Sequence, residues 1–257
     1  MAHPGWYHLE MWRLVMKRLS KIVACLGMIV GVGVLGAMSM QPGAAAPTKG
    51  MPAIFISEIE TNSPEDYANW VAQGNKAIYD KIHVENYTRV MVGQAAGEDS
   101  GKVFAVQTGE SFSKLQENGT LFDNDPAIQK IQSQMAQVRK LGNRTALKAV
   151  RFEGRNPTSY SFNTRAVLSD EGAYLKALDG LRSLLDSHGL KEVKINCYRV
   201  VSGRSDYTHL ISLNCPSGEV RAAMMDGVNE AWGQEWIATQ AKLRTVVKNG
   251  TFKEITK

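Results

Sequence analysis

The stretch Glu192–Cys215, EVKINCYRVVSGRSDYTHLISLNC, decides the fold that we predict for this chain. It is typical of two strands, Glu192–Val201 and Tyr207–Asn214, on either side of a turn that contains Gly203. Because side chains alternate between the two faces of a strand, one face of this hairpin is apolar and the other is mainly polar. That pattern indicates a sheet that is covered by helices on one face only.

The elements around this hairpin complete a known topology. Ser169-Asp170-Glu171 predicts the start of a helix ahead of it, and a strand at Tyr160–Val167 comes before that helix. After the hairpin, we predict a helix over Ala231–Val247 and a last strand over Thr251–Ile255. The resulting order of strand, helix, strand, strand, helix and strand is the ferredoxin-like topology.

The same order occurs earlier in the chain, at a separation of about 105 residues. Thr88-Arg89-Val90 matches Tyr198-Arg199-Val200, and each triplet stands before a turn that contains glycine. The second helix of the earlier copy is predicted to begin at Asp125-Pro126 and to end at Gly142, ahead of a strand over Ala146–Phe152. We therefore predict an α+β protein with two ferredoxin-like units in tandem, at residues 53–154 and 159–257.

Each copy also places a short segment ahead of its long second helix, at Ser111–Glu117 and at Gly218–Gly227. With the duplication, this pattern resembles the dimeric α/β-barrel superfamily, which contains antibiotic-biosynthesis-type monooxygenases and stress-responsive barrel proteins. The resemblance implies that the two helix-free faces pack together as an internal dimeric α/β barrel, because a half-apolar sheet cannot stand open to water. It also implies either a monomeric pseudo-dimer or a homo-oligomer.

The sequence leaves three functions open. The first is an exported protein that binds a small molecule between its two sheets. The second is a cofactor-independent or haem-type monooxygenase of the antibiotic-biosynthesis kind, and the third is a non-catalytic protein-interaction module. Haem-degrading members of the superfamily use a histidine beside Asn and Trp; Asn69-Trp70 is present, but neither predicted second helix contains a histidine. We therefore predict no cofactor, and the histidine spacing predicts no metal site.

The first 45 residues carry a targeting signal. Lys17, Arg18 and Lys21 precede an apolar run over Ile22–Met40, and the small residues Gly43-Ala44-Ala45 follow. This pattern predicts a signal peptide at residues 1–45 and a secreted or periplasmic protein. An uncleaved membrane anchor is the alternative, since the apolar run is about long enough to span a bilayer.

Composition and charge exclude several classes of protein. The chain has 257 residues, of which 44% are hydrophobic, with 30 Lys+Arg against 25 Asp+Glu. These values are typical of a globular protein rather than a disordered chain. Much of the basic excess lies in the first 45 residues, and the rest shows no clustered basic stripe. We therefore expect neither a nucleic-acid partner nor a membrane association once the signal is removed.

The polar strand faces supply the candidate ligand-binding residues, while the sequence identifies no catalytic residue. The predicted barrel lining comprises Glu58, Asn86, Thr88, Gln107, Asn163, Arg165, Asn196, Tyr198, Ser212 and Asn214. Glu58 and Arg165 hold near-equivalent positions in the two copies, so a pseudo-twofold axis would bring an acid and a guanidinium into one cavity. Cys197 and Cys215 share the apolar face, where they form either one disulfide or two buried thiols.

Overall fold

A computed structural model describes residues 51–85, 87–156, 160–203 and 205–256. The predicted signal segment and Asn86 lie outside these ranges. The first half contains β1 (Ala53–Glu60), α1 (Pro64–Ile82), β2 (Thr88–Gly93), β3 (Val103–Gly109), α2 (Phe112–Asn124), α3 (Pro126–Val138) and β4 (Lys140–Phe152). The second half contains β5 (Tyr160–Leu168), α4 (Glu171–Ser187), β6 (Lys194–Ser202), β7 (His209–Cys215), α5 (Gly218–Asn229), α6 (Ala231–Gln240) and β8 (Arg244–Glu254). Within the described ranges, no helix is both long and apolar enough to cross a bilayer.

Eight antiparallel strands close into one barrel in the order β1-β3-β2-β8-β5-β7-β6-β4. Each half contributes a four-stranded ferredoxin-like sheet. The two sheets join where β2 pairs with β8, as at Met91↔Glu254, and where β4 pairs with β6, as at Leu147↔Val200. Each described strand therefore has a partner on both sides, which removes exposed sheet edges. The predicted α+β architecture is confirmed, with both helix-free faces turned into the barrel.

The helices pack on the outside of the barrel, where they form the main apolar core. In α4, Tyr174, Leu178 and Leu185 are buried against the sheet of the second half. This helix begins at Asp170, whose side chain accepts a hydrogen bond from the Ala173 N–H. The apolar face of β6 and β7 lies in the same core, as the alternation along the hairpin predicted.

Two helices end earlier than the sequence predicted. Helix α3 ends at Val138 rather than at Gly142, and α6 ends at Gln240 rather than at Val247. The reason is that β4 pairs with β1, and β8 with β5, from the first residues of β4 and β8. The backbone groups of these residues therefore bond to a neighbouring strand instead of extending the helix.

The segments ahead of the second helices are longer than predicted. Helix α2 has 13 residues, as does α3. In the second half, α5 has 12 residues and α6 has 10. In each half, two helices of similar length therefore take the place of the predicted short segment and one long helix.

Cys197 and Cys215 are buried free thiols. Cys197 lies opposite Ile211 in the pairing of β6 with β7, so Cys215 lies four residues further along β7. At about 3.4 Å per residue this is a separation of about 14 Å along the strand, beyond the reach of a disulfide. Of the two predicted alternatives, the structure contains the pair of thiols.

Candidate functional site

The middle of the barrel is filled by apolar side chains. Two small spaces, of about 50 and 70 Å³, lie toward different ends of the barrel. The side chains between them are those of Ile56, Met91, Val106 and Leu210. Larger cavities lie outside the barrel, between the helices and the sheet of each half. The cavities large enough for an organic ligand therefore lie outside the barrel, whereas the sequence predicted a ligand-binding cavity inside it.

A network of ion pairs lies at one end of the barrel. Asp99 is 3.0 Å from a guanidinium nitrogen of Arg165 and 3.0 Å from Nζ of Lys248. Lys102 lies 3.3 Å from both Asp99 and Glu58. Although burial opposes ionisation of Asp99, these cations hold its pKa below the usual range. Glu58 and Arg165 therefore belong to one network, joined through Lys102 and Asp99 rather than by direct contact.

The other end of the barrel collects most of the predicted lining residues of the second half. The space of about 70 Å³ at this end is lined by Asn163, Asn196, Tyr198, Ser212 and Asn214, all of which the sequence placed on the inward face. Arg89 and Arg155 line the same space and were not predicted to do so.

Two first-half strands, β2 and β3, present the opposite face to the one predicted, whereas Glu58 of β1 lies on the inward face as expected. Thr88 and Gln107 lie outside the barrel, where they line a cavity beneath α1 and α3. Arg89 and Thr108 line the interior instead. A shift of one residue turns every side chain of a strand to the other face, and matching Thr88 to Tyr198 introduced that shift. The remaining predicted lining residue, Asn86, lies outside the described part of the chain.

The larger of the two outer cavities, about 250 Å³, lies in the second half. We call it the second-half cavity. Its lining is mainly apolar and includes Phe162, Leu181, Met224, Trp232 and Trp236, with Thr164, Arg244 and Asn249 as the polar members. Its two tryptophans lie one turn apart on α6. The arrangement suits a ligand with a large apolar part.

Two contacts hold these tryptophans in place. The Trp232 ring stacks on His188, with ring centroids 4.4 Å apart and an interplanar angle of 17°. The Trp236 Nε1–H donates to the carbonyl of Ala177 at 3.4 Å. Both indoles are therefore fixed between α4 and α6, where the sequence analysis had not assigned them to a site.

The equivalent cavity of the first half, about 210 Å³, is more polar. We call it the first-half cavity. It lies between α1, α3 and the sheet, and its polar lining includes Asn75, Gln107, Gln132, Arg139 and Arg144. Both ends of the Asn75 side-chain amide bond to the β2 backbone, since it donates to the Thr88 carbonyl at 2.7 Å and accepts from the Thr88 N–H at 2.9 Å.

A tyrosine–arginine pair recurs in the two halves. The guanidinium carbon of Arg139 lies 5.6 Å from the ring centre of Tyr67, and that of Arg244 lies 5.7 Å from the ring centre of Tyr174. Arg244 also donates to the Tyr174 hydroxyl at 2.8 Å. Each tyrosine belongs to the first turn of its half's first helix, and each arginine follows the third helix. The duplication therefore places an equivalent guanidinium, that of Arg139 or Arg244, at each outer cavity.

The electrostatics of these pairs favour ligand binding over proton transfer. Burial raises the pKa of Tyr174 to about 12, against the opposing effect of Arg244. Burial likewise raises the pKa of Tyr67. Both phenols therefore keep their protons near neutral pH. Within the described ranges, neither Arg139 nor Arg244 makes an ion pair with a carboxylate, so each guanidinium remains available to a negatively charged group.

Haem held by a histidine does not fit these cavities as they are built. The described residues that line either outer cavity include no histidine and no cysteine. His188 stacks against Trp232, which lines the second-half cavity, but His188 itself does not line it.

No family model matches the sequence. No curated protein matches it either. Solved structures do match the fold. A "putative monooxygenase" from Lactobacillus acidophilus NCFM matches with a TM-score of 0.52 at 11% identity, over 80% of this chain and 95% of that chain.

An anthrone oxidase-like protein matches with a TM-score of 0.50 at 13% identity, over 82% of this chain and 93% of that one. A chlorite dismutase from Candidatus Nitrospira defluvii, in complex with imidazole, matches with a TM-score of 0.45 at 11% identity, over 81% and 93% of the two chains. The chain therefore has the fold of the dimeric α/β-barrel superfamily, in a tandem single-chain form.

Proposed function

We propose that this protein binds a small, mainly apolar molecule with an acidic group in the second-half cavity. The observation that carries the proposal is the lining of that cavity: aromatic and aliphatic side chains surround about 250 Å³, and Arg244 is its one ionisable lining residue among those described. Apolar walls supply affinity, and a few placed polar groups fix the orientation of a ligand.

Arg244 supplies the polar end of the proposed site. Its guanidinium lies 5.3 Å from the ring centre of Trp236 and bonds to the Tyr174 hydroxyl, so its position is fixed on two sides. A preorganised guanidinium binds a carboxylate with two parallel hydrogen bonds at little entropic cost. The ligand would lie with its acid at Arg244 and its apolar part against Trp232.

The test uses 1-naphthoate as the probe and 1-naphthalenemethanol as its uncharged match. Binding is followed by isothermal titration calorimetry and by quenching of tryptophan fluorescence. We expect the acid to bind more tightly than the alcohol, and Arg244→Gln to weaken acid binding by about tenfold or more while leaving alcohol binding nearly unchanged. Equal affinities of the parent protein for acid and alcohol would refute the role of Arg244.

A filling variant tests the cavity separately from the charge. Val228 lines the second-half cavity, so Val228→Phe should abolish binding of both probes. Val201 is 56% exposed and lines neither outer cavity, which makes Val201→Phe the matched control. Undiminished binding by Val228→Phe would place the ligand elsewhere.

Oxidation of the bound molecule is the second candidate function, which the descriptions of two neighbouring structures favour. The described lining of the second-half cavity supplies no Asp, Glu, His, Lys or Cys as a general base. Binding therefore stands ahead of catalysis. Dioxygen uptake in the presence of anthrone is measured with an oxygen electrode for the parent protein and for Val228→Phe. Faster uptake by the parent protein would support oxidation, and equal rates for the two proteins would count against it.

We further propose that the protein is exported, with a signal peptide removed after Ala45. The support is the sequence of residues 1–45, with its basic start, apolar run and small residues at the end. Sequencing the N-terminus of the protein purified from its own source tests this. A chain that still carries Ile22–Met40 would overturn cleavage and favour a membrane anchor.

A further inference from the structure

A half-buried arginine that forms no ion pair with any described residue stands at one end of the barrel. Arg155 lines the space of about 70 Å³ that also contains Asn163, Tyr198 and Ser212. Within the described residues it forms no ion pair. Burial and the neighbouring Arg89 lower the pKa of Arg155, and they outweigh the opposing effects of Tyr198 and Glu254.

The described charges next to this space are two guanidinium groups and one carboxylate, that of Glu254. Arg89 donates from Nε to Glu254 at 2.8 Å, and both side chains are almost completely buried. Glu254 is therefore engaged by Arg89, and Arg155 adds a second cation. A half-buried cation that makes no ion pair with a described carboxylate is stabilised by a further negative charge beside it, which favours occupation of the space by an anion.

The chain is built to hold Arg155 at this position. Asn196 accepts from the Glu153 N–H at 2.9 Å and donates to the Gly154 carbonyl at 2.9 Å. On the other side, Asn156 donates to the Asn214 carbonyl at 2.8 Å. Gly154 has a φ of +115°, a conformation that favours glycine. The backbone is thus fixed on both sides of Arg155, so its placement is not the result of a loose linker.

Uncharged hydrogen-bonding groups surround the guanidinium. The Tyr198 hydroxyl makes no hydrogen bond within the described residues, and burial raises its pKa to about 12, so it keeps its proton. Ser212 accepts from Asn214 at 3.2 Å and still has its own hydroxyl hydrogen to donate. The side-chain oxygen of Asn163 is buried without a partner, and a half-turn of this amide would offer its NH₂ group instead.

We propose that the space beside Arg155 is a binding site for a small oxyanion, either a carboxylate such as formate or acetate or an inorganic oxyanion such as phosphate. The guanidinium supplies the charge, and the hydroxyls of Tyr198 and Ser212 supply further donors. The space holds a few non-hydrogen atoms, so the site is distinct in size and in position from the second-half cavity. The anion completes the interior of the barrel at the point where the two halves are linked.

The test compares sodium chloride with sodium formate, acetate and phosphate at equal ionic strength, by thermal unfolding and by calorimetric titration. We expect at least one oxyanion to raise the melting temperature of the parent protein above its value in chloride. Arg155→Gln should lose this rise and bind that anion about tenfold or more weakly. Arg221 is a partly exposed helix arginine outside this space, so Arg221→Gln should behave as the parent.

The outcomes separate the sources of the anion and decide the proposal. A response to formate or acetate alone identifies carboxylates, and a response to phosphate alone identifies inorganic oxyanions. A parent protein with the same melting temperature in all four salts overturns the proposal, as does Arg155→Gln with undiminished anion affinity. If Arg155→Gln does not fold, Tyr198→Phe decides: it removes one donor and keeps the ring, so anion binding at the parental affinity would overturn the site.

Discussion

The carboxylate of Glu171 offers a quantitative test of the electrostatics of the second half. Glu171 opens α4 and accepts from Nε of Arg199 at 2.6 Å, while Nε2 of His209 lies 2.6 Å from the same oxygen. Burial opposes ionisation of this carboxyl group. The contacts with His209 and Arg199 outweigh burial and lower its pKa from 4.5 to about 2.

This lowered pKa sets the size and the pH range of the effect. At about 1.36 kcal/mol per pKa unit, ionised Glu171 stabilises the fold by at most about 3 kcal/mol. Its side chain is 23% exposed, so we expect about 2 kcal/mol after screening by solvent. Because the folded pKa lies below the unfolded one, this stabilisation is fully present above about pH 4.5. It is lost as the pH falls toward 2.

Urea unfolding of Glu171→Gln measures this contribution. We expect the variant to be less stable than the parent by about 2 kcal/mol at pH 7, with the difference narrowing as the pH falls from 5 toward 3. Glu65 occupies the first turn of the corresponding helix of the first half and is exposed, so Glu65→Gln is the matched control and should change little. A difference between parent and Glu171→Gln that is the same at pH 7 and pH 3 would refute the reasoning.

Three further predictions concern the barrel and its core. Glu254→Gln removes the carboxylate charge that Arg89 contacts inside the barrel, so it should lower the free energy of unfolding by about 3–5 kcal/mol in urea; a loss below about 1 kcal/mol would contradict the pairing. Burial raises the thiol pKa of Cys197 and Cys215 to about 12, so both should resist a thiol reagent such as Ellman's until urea unfolds the protein, and rapid reaction of the native protein would contradict their burial. A Cβ on Gly250 would lie 2.5 Å from the backbone of the loop after β2, so Gly250→Ala should lower the free energy of unfolding by about 1–3 kcal/mol. Thermal or urea unfolding measures this, and a variant as stable as the parent would contradict the close contact between Gly250 and that loop.

The inward and outward faces of the second half could be predicted from the sequence because its hairpin alternates clearly. Ile195 and Cys197 point to the helices, while Asn196 and Tyr198 point into the barrel. The strand β2, Thr88–Gly93, has apolar residues on both faces, so its hydrophobic pattern did not fix the direction of its side chains. The direction depends on pairing with β3 and β8, which are distant in sequence.

The candidate site was less accessible to prediction than the fold. Tyr67 and Tyr174 stand at nearly the same separation in the sequence as Arg139 and Arg244, so a signal for the repeated pairs was present. Their role depends on the cavities, which form only when three helices pack on each sheet. Arg155 lies in the segment between the two halves and carries no pattern. Arg155 becomes partly buried when the barrel closes, and no local periodicity in the sequence predicts that closure.

A crystal structure of the protein soaked with 1-naphthoate would show where the proposed ligand binds. We expect electron density for the probe outside the barrel, between the second-half helices and the sheet, with the carboxylate against Arg244 and the rings against Trp232. Density for the naphthalene rings inside the barrel, or an empty second-half cavity at a saturating probe concentration, would contradict it.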